Sequence, residues 1–178
     1  MTSNNDNIFA EYNTNSVTGT TYLAGTGNTI NAASGAVLNL DTVGSTNTLT
    51  ASGATVFTVA NLAVNDTGTG DNIYTSNNDS VDANNSNIYA EYNTGAVSGT
   101  TTVTGTNDFV VSAAGSVVDL DGVGGVEGGG FSLESSGSTY YTTADMTVGD
   151  SHTGNTIYTS NISSLRGPNR SVDVKRNS

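Results

Sequence analysis

The sequence predicts an all-β chain made of two tandem copies of one unit of roughly 80 residues. Three observations support this fold class. Apolar residues recur in short alternating runs, as half-buried strands require. Thr, Val, Ile and Tyr dominate these runs, and Gly, Asn, Asp and Ser fill the gaps, which is typical of strands joined by turns. Much of the chain also agrees with residues about 80 positions further on.

The duplication is clearest at the start of each copy, where Asn7–Thr14 matches Asn87–Thr94 at an offset of 80. Four extra residues enter the second copy within the Gly-rich stretch 124–130, and beyond it the offset is 84. Ile73–Asn77 then matches Ile157–Asn161. Because the agreement runs along the whole body, we interpret the chain as a tandem repeat.

A shorter motif recurs inside each copy, in which an aliphatic or aromatic residue is followed two positions later by a small or branched one. Its eight occurrences are spaced 15 to 24 residues apart and begin at Ile8, Ile30, Leu49, Ile73, Ile88, Phe109, Leu133 and Ile157. One such coil cannot bury its apolar face, but stacked coils align these residues into a continuous narrow core. The motif therefore predicts a ladder of β-solenoid coils.

In this coil motif the chain resembles the β-solenoids of bacteriophage appendages and bacterial surface adhesins, over most of residues 5–165. The resemblance implies a rod-like structural or adhesive protein. Two small β-sandwich domains of about 80 residues each are the alternative fold, because turn signals 8 to 12 residues apart are also typical of sandwiches. The variable coil length counts against a regular solenoid.

The duplication divides the body into a first β unit over residues 1–83 and a second over 84–165, and charge sets off a basic C-terminal tail over 166–178. The chain has 16 acidic and 4 basic residues and a net charge of −12. All the basic residues lie in the tail: Arg166, Arg170, Lys175 and Arg176. An exposed tail normally frays unless it is bound to something. We therefore predict that this basic segment is an assembly tail that binds an acidic neighbour, such as an adjacent subunit.

The acidic body argues against two classes of partner. A surface of uniform negative sign repels both nucleic-acid phosphates and anionic lipid, so we expect neither nucleic acid nor membrane as a partner. The N-terminus lacks the basic and apolar regions of a signal peptide. The chain has no cysteine, which excludes disulfides and thiolate metal sites.

No catalytic motif is recognisable, and we expect the protein not to be an enzyme and to need no cofactor. His152 is the only histidine, and nothing near it in sequence completes a nucleophilic triad. Asp119 and Asp121 could form a glycosidase-like pair, but the first copy has Asn39 and Asp41 at these positions. The chain also lacks the tryptophans that line many sugar clefts.

Two oxygen-rich turns, Asn65–Asp71 and Asn78–Asp82, have the hard ligands that calcium prefers. Neither matches the spacing of a calcium loop, and Asx-turn capping explains both. We therefore predict no cofactor, with bound calcium as the alternative.

Two residues that follow the first strand of each copy form a predicted contact patch. Glu11 and Tyr12 in the first copy correspond to Glu91 and Tyr92 in the second. Each pair could present the same surface to a partner, although solvent-facing strand positions would give the same pattern.

The function that these features favour is a viral structural protein exposed on the virion, either a bacteriophage head-decoration (cement) protein or a fibre component. The stretch 1–165 offers trypsin-like proteases no Lys or Arg, which suits exposure outside a cell. We expect a homo-oligomer, a trimer above all, that contacts other virion proteins, because open β edges are protected by partners.

The alternative function is a bacterial surface adhesin or glycan-binding module, located outside the cell or on its surface and bound to a cell-surface glycan. A third is an ice-binding solenoid, suggested by Thr100–Thr102 and Thr104. The first copy has Thr20, Thr21, Tyr22 and Ala24 at these positions, so the sequence predicts no regular threonine array.

Overall fold

The fold is built from short strands alone. The computed structural model describes residues 1–12, 17, 19–121, 130–133, 136–142, 147–150, 152–159, 164–166 and 171–174, and these contain no helix. The strands run in chain order as β1 Asn7–Ala10, β2 Thr21–Leu23, β3 Thr29–Ala32, β4 Val37–Leu40, β5 Thr46–Thr50, β6 Thr55–Thr58, β7 Ala63–Asp66, β8 Asn72–Tyr74, β9 Ser80–Asn84, β10 Asn87–Ala90, β11 Thr101–Thr106, β12 Phe109–Ser112, β13 Val117–Asp121, β14 Gly130–Leu133, β15 Thr139–Thr142, β16 Thr147–Asp150, β17 Thr156–Thr159, β18 Ser164–Arg166 and β19 Ser171–Val174.

Successive strands alternate between two parallel sheets. The odd-numbered strands form a ten-stranded sheet, called here the odd sheet, and the even-numbered strands form a nine-stranded sheet, the even sheet. Every strand pairs with the strand two further along the chain, so each coil adds one strand to each sheet. The predicted β-solenoid is confirmed. Two β-sandwiches are not formed, because the pairing is parallel and continuous across both repeat units.

A narrow aliphatic core lies between the sheets. Within the strands, buried and more exposed residues alternate, as in the pattern of β3, β4 and β6. Leu38, Val56, Ile73, Ile88 and Val110 hold successive register positions of the even sheet and are each 0% exposed. Branched residues stack in this way because each strand places the same side-chain position directly over that of the strand below.

Nine strands make up one repeat unit, and this odd number has a structural consequence. The offset of 80 relates β1 to β10, and the offset of 84 relates β8 to β17. Since each coil holds two strands, nine strands amount to four and a half coils. The second unit is therefore turned by half a coil, and equivalent residues such as Ile8 and Ile88 lie in opposite sheets.

Because of this half-turn, the motif residues do not form a single row. The motif at Ile8, Ile30 and Leu49 lies in the odd sheet, whereas the motif at Ile73 and Ile88 lies in the even sheet. Eight coils, one for each occurrence of the motif, are also too few, because the described strands form a ten-stranded and a nine-stranded sheet.

The predicted unit boundaries fall within the continuous stack. Strand β9 crosses the boundary at residues 83 and 84 and pairs with β11 of the second unit. Strands β18 and β19 cover part of the segment predicted as a basic tail, and β19 is the last strand of the odd sheet. The four inserted residues fall between β13 and β14, and most of that stretch lies outside the described residues.

Candidate interaction surfaces

An aromatic stack runs along the outer surface of the even sheet. Phe57, Tyr74 and Tyr89 hold successive register positions on β6, β8 and β10. The ring centroids of Phe57 and Tyr74 are 5.0 Å apart at an interplanar angle of 21°, and those of Tyr74 and Tyr89 are 4.3 Å apart at 5°. Parallel strands about 4.8 Å apart impose this spacing. Tyr92 closes the stack edge-on, with its centroid 5.9 Å from that of Tyr89.

The outer surface of the even sheet from β2 to β12 carries no Asp, Glu, Lys or Arg. We call it the neutral face, and its outward residues are Tyr22, Val37, Asn39, Thr55, Phe57, Asn72, Tyr74, Asn87, Tyr89, Phe109 and Val111. Beside the aromatic stack, the Asn87 side-chain amide donates a hydrogen bond of 3.0 Å to the Asn72 side-chain oxygen. The face therefore offers aromatic edges, hydroxyls and amides, but no fixed charge.

The opposite face repeats this arrangement with charge added. Tyr141 and Tyr158 on the odd sheet are the counterparts of Phe57 and Tyr74, and their ring centroids are 5.0 Å apart at 11°. Asp119 precedes Tyr141 in this row, where the neutral face has Asn39. Asp82 is also exposed on the odd sheet. The half-turn thus places related aromatic stacks on opposite sides of the solenoid, one without charged neighbours and one next to Asp119.

The structure separates the residues of the predicted contact patch. Tyr12 and Tyr92 are 59% and 50% exposed, and each packs edge-on against the aromatic residue three positions earlier in the chain. Glu91 is only 1% exposed, so its side chain lies in the interior and not in a surface patch. Glu11 is half-buried and accepts a hydrogen bond from the Thr21 hydroxyl. The two tyrosines follow strands of opposite sheets and face opposite sides.

Glu91 is buried without a partner for its carboxylate. Neither of its carboxylate oxygens has a hydrogen-bond partner, and the hydroxyls of Thr101 and Ser116 are also buried and unpartnered. Burial raises the pKa of Glu91; the nearby Ser116 hydroxyl lowers it, and the negative charge of Asp79 raises it further. The Glu91 backbone takes a left-handed conformation (φ 59°) and its N–H donates to the Thr75 hydroxyl at 2.9 Å. These groups form a buried polar site where the first and second units meet.

Buried Asn and Asp side chains tie neighbouring coils together at the turns. Each accepts a backbone N–H from the preceding coil at 2.7 to 3.1 Å, and the series comprises Asn28, Asn47, Asp71, Asp79, Asp108 and Asn155. Asn28 and Asp108 are repeat counterparts, as are Asp71 and Asn155. Since amide and carboxylate replace each other, the accepting oxygen and not the charge is what the turn requires.

Burial raises the pKa of two interior carboxyls, those of Asp66 and Asp108. Burial raises the pKa of Asp108 to about 7, and the charges of Asp66 and Asp82 contribute in the same direction. Burial likewise raises the pKa of Asp66 to about 7, assisted by the charge of Asp71. No basic residue lies in the body to offset these charges. The interior therefore favours protonated carboxyls.

The carboxylates of the two predicted calcium turns accept backbone hydrogen bonds, some from within or next to the turn and some from the preceding coil. Asp66 accepts the Gly68 N–H at 2.8 Å, and Asp79 accepts the Leu62 and Ser76 N–H groups at 2.8 and 2.7 Å. Within the part of the chain that the structure describes, no group of three or more His, Cys, Asp or Glu residues could hold a metal ion. The bond from Gly68 to Asp66 is that of an Asx turn, whereas Asp79 accepts from Ser76, three residues earlier, and from the preceding coil.

Of the predicted assembly-tail residues, only Arg166 is placed, as the last residue of β18. Arg170, Lys175 and Arg176 lie outside the described residues. His152 is exposed in a turn next to Asp150, whose side chain accepts its backbone N–H at 3.1 Å. Sequence reasoning missed the neutral face altogether. The signal that could have found it is the absence of acidic residues at alternate positions of six strands.

Comparison with known proteins gives no match: no family model, no curated protein and no solved structure corresponds to the chain. The described residues form no helix of the length and apolarity needed to cross a membrane. The fold and its surfaces thus define a two-sheet β-solenoid repeat protein.

Proposed function

We propose that the chain is a non-enzymatic structural protein exposed on a virus particle, as a head-decoration or fibre component, and that it assembles through its neutral face. The single observation that carries this proposal is an uncharged, aromatic face on an otherwise acidic solenoid. Interface cores are depleted of charge and enriched in aromatic residues. Two acidic bodies repel each other, so a face without charge is where a subunit can approach at least cost.

With the neutral face as its contact surface, the chain forms a homo-oligomer. Three solenoids with their neutral faces towards a common axis would bury Tyr74, Tyr89 and Phe109. The odd sheets, with Asp82 and Asp119, would face outward, and such charges keep a particle component soluble. The lack of Lys and Arg before residue 166 protects the exposed body from trypsin-like proteases.

The test is the solution mass of the chain, measured by light scattering at two concentrations tenfold apart. We expect a closed oligomer, above all a trimer, at both concentrations. Asn39→Asp places a charge on the neutral face and should dissociate it. The solenoid tolerates this change, because the second copy has Asp119 at the equivalent position. Asn31→Asp adds the same charge to the odd sheet and should leave the oligomer intact. A wild-type monomer at both concentrations would refute the assembly role.

A surface adhesin or glycan-binding module is the second candidate, and the composition of the neutral face favours it. Tyrosine hydroxyls and the amides of Asn72 and Asn87 can both donate and accept hydrogen bonds, as neutral sugars require. A glycan array with the wild-type chain and the Tyr74→Ala variant separates the two candidates. Binding by a monomer that Tyr74→Ala abolishes supports the adhesin. Binding by neither protein counts against it.

A further inference from the structure

Two pairs of tyrosines lie face to face on neighbouring coils. The ring centroids of Tyr74 and Tyr89 are 4.3 Å apart at an interplanar angle of 5°, and those of Tyr141 and Tyr158 are 5.0 Å apart at 11°. Each pair occupies partner positions of two parallel strands, which point both side chains in the same direction. Each stack therefore holds one phenol against another phenol in the same orientation.

The hydroxyl groups of Tyr74 and Tyr89 also lie near each other. Burial raises the pKa of the Tyr89 phenol, and the charge and hydroxyl of Tyr74 raise it further. Both side chains are half-buried on the outer surface of the even sheet, and Tyr141 is exposed on the odd sheet. The two stacks thus border solvent, and a dissolved oxidant can reach them.

The composition of the chain directs one-electron oxidation to tyrosine. Cys, Trp and Tyr are the side chains that lose one electron most readily, and the chain has no Cys and no Trp. The two methionines react with peroxide by a different route, in which the sulfur takes up oxygen to form a sulfoxide. An electron removed from either stack therefore leaves a tyrosyl radical in contact with a second tyrosine.

We propose that Tyr74 with Tyr89, and Tyr141 with Tyr158, are sites of oxidative cross-linking, at which hydrogen peroxide and a peroxidase join the two rings as dityrosine. Each phenol gives up one electron and its hydroxyl proton, and one hydrogen peroxide takes up both electrons and both protons to form two waters. The radicals form a carbon–carbon bond between the ring carbons next to their oxygens. The hydrogens on those carbons then move to the oxygens and restore two phenols. This inference does not depend on a virion role.

Proximity decides which phenols couple. Groups held together in one chain act at an effective concentration in the millimolar range or above, whereas a tyrosine of another chain is present at micromolar concentration. Tyr12 is more exposed, at 59%, but its ring packs edge-on against Phe9. Phe57 stacks on Tyr74 at 5.0 Å and has no hydroxyl, so it cannot form a phenoxyl radical. We therefore expect links within each Tyr–Tyr stack.

The two links would staple neighbouring coils. Tyr74 belongs to the first repeat unit and Tyr89 to the second, so their link joins the units covalently. A cross-link between residues close in sequence closes a short loop and lowers the entropy of the unfolded chain. The oxidised chain should therefore unfold at a higher urea concentration than the untreated chain.

The experiment treats the full chain with hydrogen peroxide and a haem peroxidase, at a dose that couples free tyrosine, and maps the products by mass spectrometry. A protease specific for aspartate separates the two rings of each pair unless they are linked, because it can cleave between them at Asp79, Asp82, Asp145 and Asp150. We expect a 74–89 and a 141–158 linked peptide, each lighter by two hydrogen atoms than the sum of its parts. The chain should keep its monomer mass on a denaturing gel, with the same yield at two protein concentrations tenfold apart.

Three results would overturn the proposal: no linked peptide, links between chains alone, or coupling of Tyr89 to Tyr92 in place of Tyr74. Tyr74→Phe keeps a ring of the kind that Phe57 already places in this stack, and circular dichroism should show an unchanged fold. This variant should lose the 74–89 link and keep the 141–158 link, whereas the control Tyr12→Phe should keep both.

A double variant tests both stacks together. Tyr74→Phe with Tyr141→Phe leaves one phenol in each stacked pair, so peroxidase treatment should produce little dityrosine fluorescence. Its urea unfolding midpoint should not rise on oxidation, whereas that of wild type should. Equal dityrosine fluorescence from wild type and the double variant would contradict the inference.

Discussion

The pH dependence of the buried Asp108 carboxyl gives the sharpest test of how the interior is stabilised. Asp108 is 2% exposed and its Oδ1 accepts the Ser86 N–H at 2.8 Å, while its Oδ2 is buried without a partner. In the first unit the equivalent Asn28 uses its amide to donate a hydrogen bond of 2.9 Å to the Ser3 carbonyl. Asn28 can donate at any pH, whereas Asp108 can donate only when protonated.

The magnitude follows from the pKa. Folding raises the pKa of Asp108 from 3.8 to about 7. At 1.36 kcal/mol for each pKa unit, ionising the carboxyl in the folded chain costs up to about 4 kcal/mol more than in the unfolded chain. The stability that the protonated group supplies is complete below pH 3.8 and is lost as the pH rises towards about 7. The chain should therefore be more stable at pH 4 than at pH 8.

Asp108→Asn should remove this dependence at one site. The variant should match wild type within about 1 kcal/mol at pH 4 and exceed it by up to about 4 kcal/mol at pH 8, because the amide carries no charge. Urea unfolding followed by circular dichroism between pH 4 and 8 measures both values. The reciprocal variant Asn28→Asp should bring the same pH dependence into the first unit. If Asp108→Asn shifts the unfolding midpoint equally at pH 4 and pH 8, a buried ionised carboxyl is not the cause.

Three further predictions concern other parts of the solenoid. Glu91→Gln should stabilise the chain at pH 8 more than at pH 4, because it removes a buried unpaired charge. In urea unfolding, the control Glu11→Gln should change the stability less, because Glu11 is half-buried. Equal changes in stability for the two variants would contradict this reasoning. Tyr74→Ala removes the central ring of the aromatic stack and should cost about 1 to 3 kcal/mol of unfolding free energy, because each aromatic pair contributes about 0.5 to 1.5 kcal/mol, whereas a loss below about 0.5 kcal/mol would show that the stack is not stabilising. Gly105→Ala should prevent folding at 25 °C, because the new Cβ would lie 1.6 Å from a backbone oxygen. In the control Gly115→Ala the new Cβ meets nothing within 4 Å, so this variant should lose only the stability that its positive φ costs. Circular dichroism distinguishes the two variants, and a folded Gly105→Ala protein would refute the close approach.

Much of the fold could be predicted because its signal is local. The alternation in stretches such as Asn87–Ala90 reports a strand with one buried face, and the offset of 80 reports a duplicated unit. The half-turn between units could not be predicted. It depends on the number of strands per unit being odd, and none of the eight predicted strand starts marks Thr21–Leu23 or Ala63–Asp66.

The candidate surfaces were harder to predict for a related reason. Phe57, Tyr74 and Tyr89 are separated by unequal lengths of chain, and only the register of the coils brings them into one stack. Glu11 and Glu91 share the same neighbours in sequence, yet one is half-buried and hydrogen-bonded while the other is buried and unpartnered. Local sequence cannot distinguish them, because the surrounding coils determine their burial.

The sequence by itself determined that this chain is a duplicated, acidic, all-β repeat protein, because alternation, repetition and charge are properties of residues in order. The tertiary structure decided where those residues meet. Two strands per coil and nine strands per unit turn the second copy by half a coil, which places related aromatic stacks on opposite faces of the solenoid. Contacts between coils 15 to 28 residues apart decide this outcome, and no local pattern encodes their register.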